Sequence, residues 1–234
     1  MSKDRDSYII RPNPLDTRLT ERVTGVDQTG ARIETSVTVE RALTIFLNSQ
    51  EIVTAMTIAD YPEYLAIGYL LNQHMLLPDD VITDVDYDEE LSVVVVRTNR
   101  KTNYEKKLKK KVQTSGCAQG TVFGDLMEDI DNVRLTGDAT LTQAALYALL
   151  DKVRLHETIY KQAGAVHGCA LASNDASGAS ILMFVEDVGR HNAVDAIAGR
   201  MWLDRLDGSD KIFYTTGRLT SEMVIKAAQM CIPF

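Results

Sequence analysis

The sequence predicts an α/β protein with a β-rich first part and an α/β second part, and three observations predict it. Short apolar stretches rich in β-branched residues recur through the first half, ending in LSVVVVR at 91–97, and such runs suit pleated, partly buried strands. Beyond a small-residue stretch, TSGCAQG at 114–120, strand-like runs alternate with helical patterns. Polar loops rich in ligand-type residues follow the strands of that second half, where α/β folds commonly hold ligands. The expected organisation is a loose N-terminal arm over 1–31, a β-rich subdomain over 32–115 and an α/β subdomain over 116–234.

The elements follow in order. Residues 1 to about 30 are polar and contain Pro12 and Pro14, which suits an arm with little structure of its own. Strands are expected at Ile33–Val39, Leu43–Leu47 and Ile52–Ile58. Asp60 then reads as a helix cap, with Glu63 completing a capping box and Pro62 in the first turn. That helix carries Leu65, Ile67, Leu70 and Leu71 and ends before Pro78. Strands follow at 81–87, 91–97 and 104–113, the middle one apolar enough to be central in a sheet. Helices are expected at 142–153 and 156–163, then strands at 166–172 and 180–185 joined by the turn SNDASG. Helix 191–203, strand 211–215 and helix 220–230 complete the second half.

Composition narrows the function. The 234 residues suffice for a sizeable core. A net charge of −8 with a pI near 5.0 argues against a general duplex-DNA binder. No apolar run is long enough to cross a bilayer and no signal-peptide core opens the chain. Cys117, Cys169 and Cys231 are odd in number and widely spaced, which suits neither a disulfide framework nor a metal ligand set. A cytoplasmic protein without bound metal is the expectation, with any important cysteine acting as a thiol.

Three segments carry candidate chemistry. In VEDVGRHNAVD, 185–195, eleven residues hold three acids, a glycine, an arginine, a histidine and an asparagine. A ligand site explains that mixture; the plainer alternative is a helix start with Asp187 or Asn192 near a cap and Arg190 paired to Glu186. AGAVHGCAL places His167 among small residues, and TTGRLTSE, 215–222, joins a glycine and Arg218 to a helix start. Exposed amides at a helix start and an arginine fork suit a phosphate. Cys117 lies between Gly116 and Ala118, and the basic run KKLKKK ends six residues before it. Nearby ammonium groups favour the thiolate, the nucleophilic form. Cys169 lies in an apolar strand and reads as buried.

Together these residues resemble the formate dehydrogenase accessory protein (FdhD) family of sulfurtransferases. ERALTIFLNSQEIVTAMTIADYPEYLAIGYLLNQHML is similar to the family's opening, and AGAVHGCAL, FVEDVGRHNAVDAIAGR and TTGRLTSEMVIKAA are close to its signatures. The resemblance implies a cytidine-deaminase-like mixed-sheet C-terminal half. It also implies a homodimer that binds guanine nucleotides as mimics of its substrate. The implied activity is transfer of persulfide sulfur from a cysteine desulfurase to the bis-molybdopterin guanine dinucleotide cofactor, on which formate dehydrogenase activity depends. Cys117 inherits the persulfide role. His167, Arg190, His191, Asn192, Asp195, Thr216, Gly217, Arg218 and Ser221 match the signatures and are expected to line the cofactor or guanine pocket. Arg218 and the amides at 216–217 are expected near phosphate, and Asn192 or Asp195 on polar edges of the ligand.

Two departures qualify the resemblance. Many members carry Cys-x-x-Cys in the loop, whereas Gly120 occupies the second position here; a lone thiol still suffices to accept and donate a persulfide. Members also continue beyond the match to Ile232–Pro233 with a basic segment implicated in cofactor binding, so 116–234 reads as C-terminally incomplete. The rival function is a molybdenum-cofactor chaperone that transfers no sulfur. A zinc nucleoside deaminase is set aside because its His-x-Glu and Pro-Cys-x-x-Cys motifs are absent.

Overall fold

The computed structural model describes residues 8–77, 79–100, 133–135, 137–155, 158–175 and 178–234. These form three sheets. A two-stranded hairpin pairs β1 (Thr20–Val26) with β2 (Arg32–Thr38). A four-stranded mixed sheet has the order β4-β3-β6-β5, from β3 (Arg41–Leu47), β4 (Gln50–Thr57), β5 (Ile82–Asp88) and β6 (Val93–Thr98). Its β3 and β6 run parallel, and its other pairs are antiparallel. An antiparallel three-stranded sheet has the order β8-β7-β9, from β7 (His167–Ser173), β8 (Ile181–Asp187) and β9 (Lys211–Thr215). The valine run 93–96 is interior to its sheet, as its apolar composition predicts, with Val94 and Val96 fully buried.

Among the described residues five helices pack with these sheets: α1 (Pro62–Asn72), α2 (Gln143–Leu155), α3 (Ile159–Ala163), α4 (Arg190–Asp204) and α5 (Ser221–Gln229). One buried cluster joins Leu43, Ile45 and Val96 to Leu65, Ile67 and Leu70 of α1 and to Cys169, Met183 and Ile197. Residues from both sides of position 115 therefore share a core, while the expected boundary and strand 104–113 lie outside the described residues. At the centre of that core α1 crosses α4 at two glycines. A Cβ on Gly68 would fall 1.7 Å from the Asp195 carbonyl oxygen, and one on Gly199 would fall 2.0 Å from that of Tyr64. Only side chains reduced to hydrogen let the two backbones come so close.

The N-terminal segment is more ordered than its composition suggests. Residues 20–26, expected in a loose arm, form β1. Upstream, Ile9 N donates to Leu182 O at 2.7 Å and Phe184 N to Ile10 O at 3.0 Å, so the segment pairs with β8. Buried Ile10 and Leu19 pin it. A few apolar side chains among polar neighbours suffice once a sheet edge offers backbone partners.

Asp60 does not cap α1. Tyr61 is the N-cap, with φ −131° and ψ 67°, and makes no capping bond. The physical reason is Pro62: a residue preceding proline is driven out of the helical region, so the helix begins at the proline itself. Asp60 is left with Oδ2 buried and without a hydrogen-bond partner. Burial first, then the negative charge of Asp16, pushes its carboxyl up to about 7.

Candidate functional site

Because β7 runs antiparallel to both neighbours, its start lies beside the ends of β8 and β9. His167 stands opposite Asp187, and Cys169 stands opposite Thr215. The pairing continues into the loop, where Thr216 N donates to Gly168 O at 2.9 Å and Gly168 N donates to Thr216 Oγ1 at 3.0 Å. Two helices open from this edge, α4 after β8 and α5 after β9. Their first turns touch: His191 Nε2 lies 2.9 Å from Glu222 Oε2. Arg190 folds its stem over the 216–217 loop, so closely that a Cβ on Gly217 would sit 2.7 Å from Arg190 Cδ.

Arg190, His191, Thr216, Gly217 and Ser221 thus come together at one end of the small sheet, with His167 at the adjoining strand start. Arg218 and Thr216 are exposed beside them, and Ser221 opens α5. Among the described residues two buried polar atoms here lack a hydrogen-bond partner: Arg190 Nε and Thr220 Oγ1. His191 Nε2 is met by Glu222 Oε2 at 2.9 Å. Thr220 is the N-cap of α5, yet its hydroxyl makes no capping bond. Buried orphan groups are rare in native proteins, and a bound ion, water or ligand is one way they are satisfied. Two helix N-termini and an arginine meet the needs of an anion such as phosphate. Burial first, then Lys226 and Arg190, pulls the His191 imidazole down to about 4, so the ring is neutral near pH 7.

Two expected pocket residues do other work. Asn192 Nδ2 donates to Met56 O and to Asp187 Oδ1, both at 2.7 Å, which ties α4 to β4. Asp195, expected on a polar edge of the ligand, is 1% exposed and held by Lys226 and Asn72. Glu186, weighed as the partner of Arg190, and Asp187, weighed as a cap, are held by other groups among the described residues. Glu186 accepts from Ile159 N at 2.6 Å and Tyr160 N at 3.2 Å, holding the start of α3. Asp187 accepts from Thr57 Oγ1, from Ile58 N at 3.3 Å and from Gly189 N at 2.9 Å as well as from Asn192. Burial pushes its carboxyl up to about 6 despite those donors.

Sequence reasoning passed over Asn72, Thr57, Glu222 and Lys226. Glu222 and Lys226 stand four apart on α5, a spacing usual for a solvated surface pair; both are buried. Nothing local distinguishes the two cases.

The cysteines separate cleanly. Cys169 is fully buried beneath Arg190, with Sγ 3.4 Å from Thr215 Oγ1, and burial pushes its thiol up to about 12. Cys231 is exposed just beyond α5, whose first turn forms the site. Cys117 lies outside the described residues. Among the described residues no group of three or more His, Cys, Asp or Glu side chains is placed to hold a metal ion, and no helix is long and apolar enough to cross a membrane.

Comparison with known proteins identifies relatives of the chain. The chain is 32% identical over 201 residues to the sulfur carrier protein FdhD of Listeria monocytogenes serovar 1/2a, covering 85% of this chain and 76% of that protein. It is 28% identical over 202 residues to the protein of the same name from Bacillus subtilis (strain 168), covering 86% and 75%. The mixed α/β fold matches a crystal structure from Desulfotalea psychrophila, provisionally assigned as a formate dehydrogenase accessory protein. That match has a TM-score of 0.68 and 24% identity, over 92% of this chain and 80% of the other. Residues 38–234 match the model of the FdhD/NarQ family, a span that takes in both polar loops and the helix starts they feed. The chain belongs to the FdhD/NarQ family.

Proposed function

We propose that this protein is a sulfur carrier that accepts persulfide sulfur from a cysteine desulfurase on Cys117. It then passes that sulfur to the bis-molybdopterin guanine dinucleotide cofactor on which formate dehydrogenase depends. The Cys117 thiolate attacks the outer sulfur of the donor's persulfide; the donor's S–S bond breaks as a new one forms at Cys117, and the donor departs as a thiolate. A lone thiol completes this exchange, so Gly120 in place of a second cysteine does not block it. The cofactor, as substrate, is held at the edge formed by β7, β8 and β9. There Arg190 and the α4 and α5 starts take phosphate, with Arg218, Thr216, Gly217 and Ser221 around it and His167 and His191 on polar atoms of the guanine nucleotide.

The observation that carries the binding half of this reading is the pair Arg190 Nε and Thr220 Oγ1, buried at this edge without a hydrogen-bond partner among the described residues. The sulfur half rests on family membership, since the curated relatives are named sulfur carrier proteins. The reading extends to a cytoplasmic homodimer with a cytidine-deaminase-like C-terminal half. A second reading, a molybdenum-cofactor chaperone without sulfur transfer, is favoured by the missing second loop cysteine and uses the same pocket.

Intact mass after incubation with a desulfurase and cysteine separates the two. The expected gain is one sulfur atom, retained in Cys231→Ser and lost in Cys117→Ala. The Cys117→Ala protein is expected to fold, to bind guanosine diphosphate and to give no formate dehydrogenase activation in a strain lacking its own carrier. Full activation by that variant would refute sulfur carriage through Cys117 and leave the chaperone.

A further inference from the structure

Behind the touching first turns of α4 and α5 lies an ionic assembly that the proposed chemistry does not use. Lys226 Nζ reaches Asp195 Oδ1 at 2.7 Å and Oδ2 at 2.8 Å, and Asn72 Nδ2 donates to Asp195 Oδ1 at 2.6 Å. Asp195 is 1% exposed, Asn72 3% and Lys226 4%. Asn72 ends α1, Asp195 sits one turn beyond His191 on α4, and Lys226 sits one turn beyond Glu222 on α5. Residues one turn apart share a helix face. The two helices are therefore joined by two successive rungs, His191–Glu222 at the ligand end and Asp195–Lys226 behind it.

A buried ion pair is a poor source of net stability, because desolvating both charges offsets most of their attraction. Its more general use is to fix one arrangement of the elements it joins. Here those elements are the two helices whose N-termini form the pocket, and the third arm of the assembly, Asn72, references them to α1.

We propose that Lys226 and Asp195, anchored by Asn72, are positioning residues that set the register of α4 against α5 and so hold the His191 ring and Glu222 carboxylate in place for the bound nucleotide. This inference rests on the binding role proposed above. The charged groups that bear on the ring, among the described residues, are Arg190 on its own helix and Glu222 and Lys226 on α5; Asp195, one turn on, is held by Lys226. Tyr69 on α1 faces Asp195. Of the cations, Lys226 bears more heavily than Arg190 on keeping the ring neutral.

The test compares the unaltered full chain with the double variant Asp195→Asn/Lys226→Met, which removes both charges at nearly constant volume. The probe is guanosine diphosphate. In the unaltered chain His191, followed by its ring proton resonances, is expected to titrate well below the ordinary histidine range, and affinity is expected to stay flat between about pH 5.5 and 8. In the double variant the ring is expected to titrate measurably higher than in the unaltered chain, since the Lys226 charge is lost while burial and Arg190 remain. Affinity is then expected to rise by about threefold or more as pH falls from about 7 to 5, because a newly charged imidazole attracts the phosphate. Lys226→Arg, which keeps the charge, is expected to restore the flat profile.

An unchanged His191 midpoint and a flat profile in the folded double variant would overturn the proposal. If that variant does not fold, an ordinary midpoint near 6.5 in the unaltered chain overturns it equally. Persulfide loading of the unaltered chain is measured in parallel: its failure counts against sulfur carriage and leaves the His191 readout standing.

Discussion

Asp187 and Arg190 stand three positions apart in the chain and are 4% and 7% exposed, yet the fold treats them in opposite ways. Asp187 accepts from four groups, one at the end of β4 and one in the connection that follows it. Arg190, at the next turn, leaves its Nε buried without a partner. The same contrast separates Asp195, with its ammonium and amide donors, from Thr220, whose buried hydroxyl lacks a partner among the described residues. Burial alone therefore does not mark a functional residue. A buried polar group whose donors or acceptors are all matched holds elements together; one left unmatched at a loop edge beside two helix starts is open to a ligand.

This contrast is broken most severely at Asp187. Replacement by alanine strands the Thr57 hydroxyl, the Ile58 and Gly189 amides and the Asn192 amide together, at a cost of about 3 kcal/mol or more in urea unfolding. A loss below about 1 kcal/mol would show that the hub is not structural. Arg190→Met, which keeps the stem packed on Gly217 and removes the guanidinium, is expected to lower guanosine diphosphate affinity about tenfold with little change in unfolding midpoint. If instead stability collapses while affinity holds, Arg190 belongs with Asp187.

The smallest expected effect sharpens the comparison from a third residue, since Asp60 is both an acid and an orphan. Its folded carboxyl is raised from 3.8 to about 7. The folded state thus keeps a proton that the unfolded chain releases, and stability from this group is greatest below about pH 4 and is lost as pH rises through about 7. Asp60→Asn is expected to remove that decline, raising Tm near pH 7 by about 2–4 °C relative to the unaltered chain. Parallel pH profiles for the two proteins would show that Asp60 is better solvated than its surroundings suggest.

Most of the secondary structure was legible because it rests on short-range signals. Alternating or β-branched runs marked β2 to β6, and the polar break SNDASG marked the β7–β8 hairpin. The start of α1 was misplaced by one residue because two local rules competed there, and proline geometry prevailed over the capping box. The strand at 20–26 was missed because its sequence, TERVTGV, alternates only weakly; its stability comes from pairing with β2 and from docking of the hairpin on α3, where Thr38 Oγ1 donates to Gly164 O at 2.8 Å. In the candidate site, the loops were visible as polar runs after strands, but the roles of Asn192 and Asp195 within them were not.

What the sequence determined by itself was which loops carry polar chemistry, which thiol has small neighbours and basic company, and the alternation of strands and helices. Each of these depends on residues a few positions apart. The tertiary structure decided which polar groups are matched. Thr57 and Asp187 lie 130 positions apart, Asn72 and Asp195 lie 123 apart, and neither pair exists until α1 presses onto α4 through Gly68 and Gly199. Side-chain chemistry is written residue by residue, but hydrogen-bond satisfaction is a property of packed surfaces, and no local pattern encodes the distance at which two helices come to rest.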